Sequence, residues 1–399
     1  MKTLYRARWV LPVARPPIEH GWVLVEDARV AADGGDADGV PEAAAAETVD
    51  GVILPGLVNA HTHLELSWMR DQVPPAPAMP QWVERLMALR RTVGHEPEEP
   101  IREAVLEVRA SGTALVGDIT NTFAAYEPLA DSELSAAIFR ELLGFAVDDP
   151  EVPIRAAQEQ MQALTPMAWL RPSIVPHAPY SVSPALLRAI GEAAGDAPLS
   201  IHLAESAEEV EFLERGEGAW RDLLTRLGVW SESWRAPGVR PVDYIASLGL
   251  LTPRLIAVHC VQLTDEELRR LAAAGATVVT CPRSNRWTGA GLPPVGRFYA
   301  SGVRVAIGTD SLASVEDLNL FAELALIREL APDVPACALI ESATRHGADA
   351  LGFGGELGTI ERGKRAELIA VTLPAHVDDV EEYLVAGVAP RNVRWLGVL

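Results

Sequence analysis

From Val52 onward the chain alternates short apolar runs with amphipathic stretches. The runs are GVILPGLVNAH, GTALVGDIT, AAIFRELLGF, RPSIVPHAP, PLSIHLAE, RLIAVHC, ATVVTCPRSN and VRVAIGTD, and polar residues gather at their ends. Between them, PIREAVLEVRAS, SPALLRAIGEAAG and TDEELRRLAAAG carry apolar residues at helical spacing and close on Gly or Ser. Fully apolar strands alternating with helices predict an α/β fold, a parallel sheet covered by helices. Eight such units predict a (β/α)₈ TIM-like barrel with its working groups at the strand C-terminal ends. No sequence motif repeats, so the repeat is structural only.

The two chain ends follow another pattern. WVLPVA and GWVLVEDARVAA read as short strands, and Asp33 to Glu47, rich in Gly, Asp and Ala, reads as a solvated loop. Past Ala343, the helical SATRHGADALGF gives way to GGELGTIERGKRAELIAVTLP, which reads as turns and strands. These ends predict a small β-sandwich domain over residues 1–56 and 347–399, flanking a barrel over 57–346.

Composition narrows the function. Hydrophobic residues make up 49% and charged residues 22%, enough for a large core and too apolar for wholesale disorder. The net charge of −21 repels phosphate backbones and anionic lipid, so neither nucleic acid nor membrane is an expected partner. Cys260, Cys281 and Cys337 are odd in number and lack CxxC spacing, which argues against a disulfide framework or a Cys-rich zinc finger. The start, MKTLYRARWVLPVARPP, is too broken for a signal peptide, and no long apolar run suggests a membrane span. A soluble cytoplasmic protein is the expectation.

The run ends carry the chemistry. His61-Thr62-His63 closes the first run, and alternate strand residues point the same way, so both imidazoles can reach one ion. His202 and Glu205 close the fifth run in HLAES, His259 the sixth in VHC, and Asp310 the eighth in GTD. Imidazole and carboxylate suit Zn²⁺ or Fe²⁺, and a catalytic site keeps an open position for water. His61, His63, His202 and Asp310 are therefore expected to hold one divalent metal ion, zinc first and iron as the alternative. The metal would lower the pKa of bound water to give hydroxide. His259 would hydrogen-bond that hydroxide or a developing oxyanion, and Glu205 would carry a proton to a ring nitrogen and then to the leaving group. Asp310 counts with these two among the catalytic residues. The alternative for His202 and His259 is that of hydrogen-bonded core histidines.

The motifs PGLVNAHTHLE, HAPYSVSP, HLAES, VHC, CPRSN and GTDSLAS, with ELGTIERGKRAELIAV near the end, resemble the amidohydrolase superfamily, in its cytosine/adenosine deaminase and chlorohydrolase-like branch. The resemblance spans essentially the whole chain. It implies a mononuclear metal-dependent hydrolase with the ligand and proton-handling roles just given. Binuclear members bridge two metals with a carboxylated lysine on the fourth strand. Lys2 and Lys364, the only lysines here, lie near no such strand. The resemblance also admits a homo-oligomer.

Glu205 favours deamination of an aromatic ring over amide hydrolysis, although dechlorinating relatives share the frame. The other zinc-deaminase class uses H-x-E with P-C-x-x-C; His63-Leu64-Glu65 mimics its first half, but no PCxxC follows. Expected contacts to a small-molecule substrate are Trp82, Arg140, Glu141, His177, Arg283 and Asn285. Trp82 either stacks on a ring or packs within a helix. The resemblance gives His177 a role facing the ribose or its substituent, while Tyr180 is either a substrate or a turn residue. Arg140 and Arg283 either meet a substrate carboxylate or pair with local acids. FRELLGF, CPRSN and GTDSLAS look most like aminodeoxyfutalosine deaminases of the futalosine route to menaquinone, whose substrate is a 6-aminopurine nucleoside bearing a carboxyphenyl ketone. S-adenosylhomocysteine, methylthioadenosine, adenosine or guanine deaminases, triazine-like chloro- or alkylamine hydrolases and a non-catalytic metal-binding scaffold are the alternatives.

Two other features read as structural. Gly358 to Arg365 nearly spells a phosphate-binding loop but lacks the closing Ser or Thr, and reads as a turn. Cys260 and Cys281 read as buried packing.

Overall fold

A computed structural model describes residues 2–93 and 95–397. Met1, Val398 and Leu399, at the extremes of the predicted small domain, lie outside the described residues, as does Gly94.

The chain opens with β1 (Lys2–Val10), β2 (Ile18–Glu19), β3 (Gly21–Glu26), β4 (Arg29–Gly35) and β5 (Ala45–Pro55). Next come the largely buried strands β6 (Leu57–Thr62), β7 (Thr113–Thr120), β8 (Ser135–Leu142), β9 (Leu170–Pro176), β10 (Leu199–Leu203), β11 (Leu255–His259), β12 (Thr277–Thr280) and β13 (Arg304–Ile307). The chain returns through β14 (Leu368–Thr372) and β15 (Val393–Trp395).

The eight central strands form two four-stranded parallel sheets, β6-β7-β8-β9 and β10-β11-β12-β13. Each strand is followed by helical segments, and the strands are buried nearly throughout, so they read as unbroken apolar runs. The sheets meet at both edges. His202 N donates to His177 O at 2.9 Å where β9 adjoins β10, and Asp310 N donates to His61 O at 3.0 Å where β13 adjoins β6. Asn59 reinforces the second junction, its Nδ2 donating to Thr309 Oγ1 at 2.7 Å and its Oδ1 accepting from Thr309 N at 3.1 Å.

Strands from both chain ends share a third sheet, ordered β15-β14-β5-β1-β3-β4, with β2 paired to β1. Alternation along β5 and β14 sorts its two faces. Val52, Leu54, Ile369 and Val371 pack on the helices Leu320–Leu330, Ala336–Ser342 and Val380–Val385. Ile53, Leu368 and Ala370 pack with Val23 and Val30 of β3 and β4.

Two expectations need correction. Asp33 to Glu47 is not wholly loop: β4 runs to Gly35, and β5 begins at Ala45. The run GVILPGLVNAH is not one strand. GVILP finishes β5 in the terminal sheet, and LVNAH belongs to β6. Gly56 marks the crossing, where a β-carbon would lie 2.6 Å from Ala114 Cβ and 2.8 Å from the Trp395 ring. Continuous apolar character hid the change of sheet, because both halves are buried.

Gly308 sits where β13 closes on β6. A β-carbon there would lie 2.8 Å from both Cβ and O of His61 and 3.0 Å from Cys281 Sγ. Because these neighbours are backbone and short side chains, Gly308→Ala is expected to cost about 1–3 kcal/mol through overpacking. Urea unfolding checks this, and an unchanged midpoint would show that the junction yields.

Candidate metal centre and active site

The expected ligands come together at the strand ends. His61 ends β6 nearly enclosed, with neither ring nitrogen hydrogen-bonded. Its ring centroid lies 5.0 Å from that of His63, 4.9 Å from His202 and 5.5 Å from His259. Asp310 Oδ1 is 3.6 Å from His63 Nε2 and 3.9 Å from His61 Nε2. His61, His63 and Asp310 thus form one group able to hold a metal ion, and His61, His202 and His259 form another. A buried imidazole with no hydrogen bond is costly, and a shared cation resolves it. The residues therefore fit a divalent metal.

Local structure fixes each group. Ser284 Oγ donates to Asp310 Oδ2 at 2.6 Å, leaving Oδ1 toward the histidines. Asp118 Oδ1 accepts from Leu64 N at 2.9 Å and holds the turn after His63. Ala204, His259, Cys260 and Asp310 have φ of 50°, 71°, 55° and 66°, left-handed values that non-glycine residues adopt only when their surroundings impose them. At Ala204 the constraint is visible: Glu209, fully buried, accepts from Ala204 N at 2.8 Å and Glu205 N at 2.9 Å. That clamp aims Glu205.

Glu205 and His259, the expected proton-handling pair, are equally ordered. Glu205 Oε1 lies 3.6 Å from His259 Nε2. Asn285 Nδ2 lies 3.0 Å from His259 Nδ1 and 3.4 Å from Glu205 Oε1. A carboxylate neighbour requires the amide's donor end there, so His259 Nδ1 accepts and the ring proton is assigned to Nε2. Burial pushes the Glu205 carboxyl up to about 8, with His202 opposing the rise. The group is thus able to carry a proton near neutral pH. Burial drives His259 and His61 well below the ordinary imidazole range.

The expected substrate contacts divide. His177 lies beside His202, ring centroids 4.9 Å apart, with Nδ1 2.6 Å from Ser181 Oγ. Burial lowers it to about 4. Tyr180 is buried and stacks on Trp220 at 3.8 Å. Glu141 Oε1 faces His202 Nε2 at 3.4 Å. Asn285 turns Nδ2 to Glu205 and His259, while its buried Oδ1 has no hydrogen-bond partner. Trp82 is buried among Leu66, Met69, Val73, Ala76 and Ala313, segments that follow His63 and Asp310, and its Nε1 has no hydrogen-bond partner.

The two arginines bond groups other than the histidines. Arg140 precedes Glu141, and strand alternation turns it the other way, where Nε donates to Gln160 Oε1 at 2.9 Å. Arg283 bonds Asp317 at 2.8 Å and Glu316 at 2.9 Å, and lies 3.7 Å from buried Glu323. Local acids, rather than a substrate carboxylate, occupy both its amino groups.

Sequence reading missed Glu65, Asp118, Asn121 and Glu209. Glu65 was set aside within a false H-x-E motif, yet its buried carboxylate accepts from Thr120 Oγ1, Asn121 N, Thr122 N and Thr122 Oγ1. An acid inside the apolar stretch after HTH was the available signal. Glu209 sits in a helical first turn, indistinguishable there from the ordinary acids of such turns.

Comparison with known proteins agrees with this geometry. The Amidohydrolase family profile matches residues 52–393, and the chain belongs to that family. It is 33% identical over 406 residues to a 5-methylthioadenosine/S-adenosylhomocysteine deaminase of Moorella thermoacetica, covering 96% of this chain and 90% of the relative. It is 34% identical over 335 residues to an aminodeoxyfutalosine deaminase of Deinococcus radiodurans, covering 80% and 78%. The crystal structure of a Xanthomonas campestris adenosine deaminase with bound zinc superposes with a TM-score of 0.82 at 28% identity, covering 98% of this chain and 90% of that one.

Removing the Glu209 clamp tests its role. Glu209→Ala strands two buried backbone N–H groups, each worth about 1–3 kcal/mol. Denaturant unfolding is expected to show that loss, together with slowed turnover. Unchanged stability and rate would assign the strained turn to other contacts.

Proposed function

We propose that this protein is a metal-dependent aminohydrolase that removes the 6-amino group of an adenine nucleoside, a hydrolase acting on a C–N bond. The observation carrying this reading is the convergence of His61, His63, His202, His259, Glu205 and Asp310 at adjoining strand ends. In this reading the two parallel sheets are halves of one (β/α)₈ barrel over residues 57–346, supported by the hydrogen bonds at both edges. The terminal sheet forms the small β domain over 1–56 and 347–399, supported by the pairing of β14 and β15 with β5 in one sheet with β1, β3 and β4.

His61, His63, His202 and Asp310 hold one divalent ion, with zinc favoured by the zinc-bound relative. Such an ion, when bound, lowers the pKa of water and supplies the nucleophile. Glu205 takes a proton from the attacking water and delivers it to the ring nitrogen beside the attacked carbon, then passes the remaining proton of that oxygen to the departing amine. His259 Nε2–H donates to the oxygen that attacks. His177 faces the sugar or its substituent, and Trp82 borders the purine.

Aminodeoxyfutalosine is the first candidate substrate, supported by the Deinococcus radiodurans relative, and would place the enzyme in menaquinone synthesis. Methylthioadenosine and S-adenosylhomocysteine follow from the Moorella thermoacetica relative. Arg140 and Arg283 lend no support to a substrate carboxylate, since both are engaged elsewhere. Among the described residues no helix is long and apolar enough to cross a membrane. Three free cysteines support a reducing, cytoplasmic setting, and the acidic surface supports a partner list without nucleic acid.

Ammonia release from metal-replete protein is the test, with aminodeoxyfutalosine, S-adenosylhomocysteine, methylthioadenosine, adenosine and guanine as substrates. An adenine nucleoside is expected to lead. Glu205→Gln is expected to keep its metal and lose turnover by about 10²–10⁴-fold. No ammonia from any of them, or an active Glu205→Gln, would overturn the reading.

A further inference from the structure

Glu141 takes no part in the proton transfers above, yet its buried carboxylate lies between a fixed amide and the ring of an expected ligand. Oε1 is 3.4 Å from His202 Nε2, and Oε2 accepts from Asn121 Nδ2 at 2.9 Å. Asn121 is itself immobilised. Its backbone N donates to Glu65 Oε1 at 2.9 Å, and its Oδ1 accepts from Arg90 Nη1 at 3.0 Å. Arg90 also pairs with Glu65 at 3.1 Å, and Glu65 lies two residues beyond His63. Buried carboxylates joined through half-buried Asn121 and Arg90 thus link the segment after one expected ligand to the ring of another.

The His202 ring has two distinct sides. Nδ1 lies 3.1 Å from His259 Nε2, and His202 forms with His61 and His259 one of the groups able to hold an ion. Nε2 faces Glu141. A neutral imidazole that gives Nδ1 to a metal carries its proton on Nε2, where a carboxylate orients the ring and raises its basicity. We propose that Glu141, steadied by Asn121 and Glu65, is a positioning residue that fixes His202 as the Nε2–H tautomer with Nδ1 toward the ion. This rests on the metal-centre reading above. It gives Glu141 a role other than the substrate contact that its strand-end position suggested.

The experiment measures Zn²⁺ and Co²⁺ affinity by chelator competition in the wild type, Glu141→Ala, Glu141→Gln and Asn121→Ala, with the visible spectrum of each Co²⁺ form. Glu141→Ala is expected to weaken metal binding by about 10–100-fold and to shift the Co²⁺ bands. Glu141→Gln recovers part of the affinity, because its carbonyl still accepts from Nε2–H, and Asn121→Ala weakens binding by less. In metal-saturated Glu141→Ala, the loss falls on kcat rather than KM.

Unchanged affinity and spectrum with a raised KM would overturn the proposal and make Glu141 a substrate contact. Two bound ions in the wild type and one in Glu141→Ala would also overturn it, making Glu141 a ligand with His177. If Glu141→Ala does not fold, as judged by circular dichroism, Asn121→Ala decides, and unchanged affinity there rejects the proposal. A wild type that binds no metal would instead overturn the metal-centre reading, and this inference with it.

Discussion

The structure depends on one electrostatic constraint, the burial of ionisable groups at one end of two apolar sheets. His61 is the sharpest case, nearly enclosed and without a hydrogen bond at either nitrogen. Four more imidazoles, those of His63, His177, His202 and His259, and the carboxylates of Asp310, Glu205 and Glu141 cluster with it. Burying such groups is unfavourable unless each gains a partner, and a cation gives the imidazoles and Asp310 a common one. Two carboxyls at the site then diverge. Glu205 is driven up by burial, whereas the imidazoles of His177 and His202 outweigh burial at Glu141 and hold it low. One is suited to carrying a proton and the other to holding charge.

Precision at the site comes from atoms outside it. Asn59 and Thr309 tie β6 to the end of β13, Ser284 turns Asp310, and Asn285 orients His259. Ala204, His259, Cys260 and Asp310, at or beside the strand ends that carry the site, lie in the left-handed region, each costing about 1–3 kcal/mol. Glu209 holds one of them through two backbone N–H groups. Gly308 allows His61 and Cys281 to approach where any side chain would intrude. Local stability is given up here so that a few side chains have only one orientation.

Much of this was legible in the sequence for a physical reason. Buried parallel strands must be apolar throughout, so a polar residue closing such a run stands out; His202, His259 and Asp310 announced themselves this way. Pairing of the two chain ends was legible from the change of rhythm, but the handover at Gly56 was not, because both sheets bury their strands there. Side-chain direction was the harder problem. Arg140 and Glu141 are neighbours and only one faces the histidines, a parity that the run alone does not set. Arg283 had its acids supplied by residues more than thirty positions away, beyond any local pattern. Glu65, Asn121 and Glu209 act by accepting or relaying hydrogen bonds from backbone, and such partners leave no spacing to read.

We propose one metal ion among His61, His63, His202 and Asp310. Anomalous diffraction from crystals of the zinc-replete protein, collected on both sides of the zinc edge, tests it most directly. The account requires a single strong peak bonded to those four side chains, with His202 contributing Nδ1. No peak at the strand ends, or one held by Glu141, His177 and His202 instead, would contradict it.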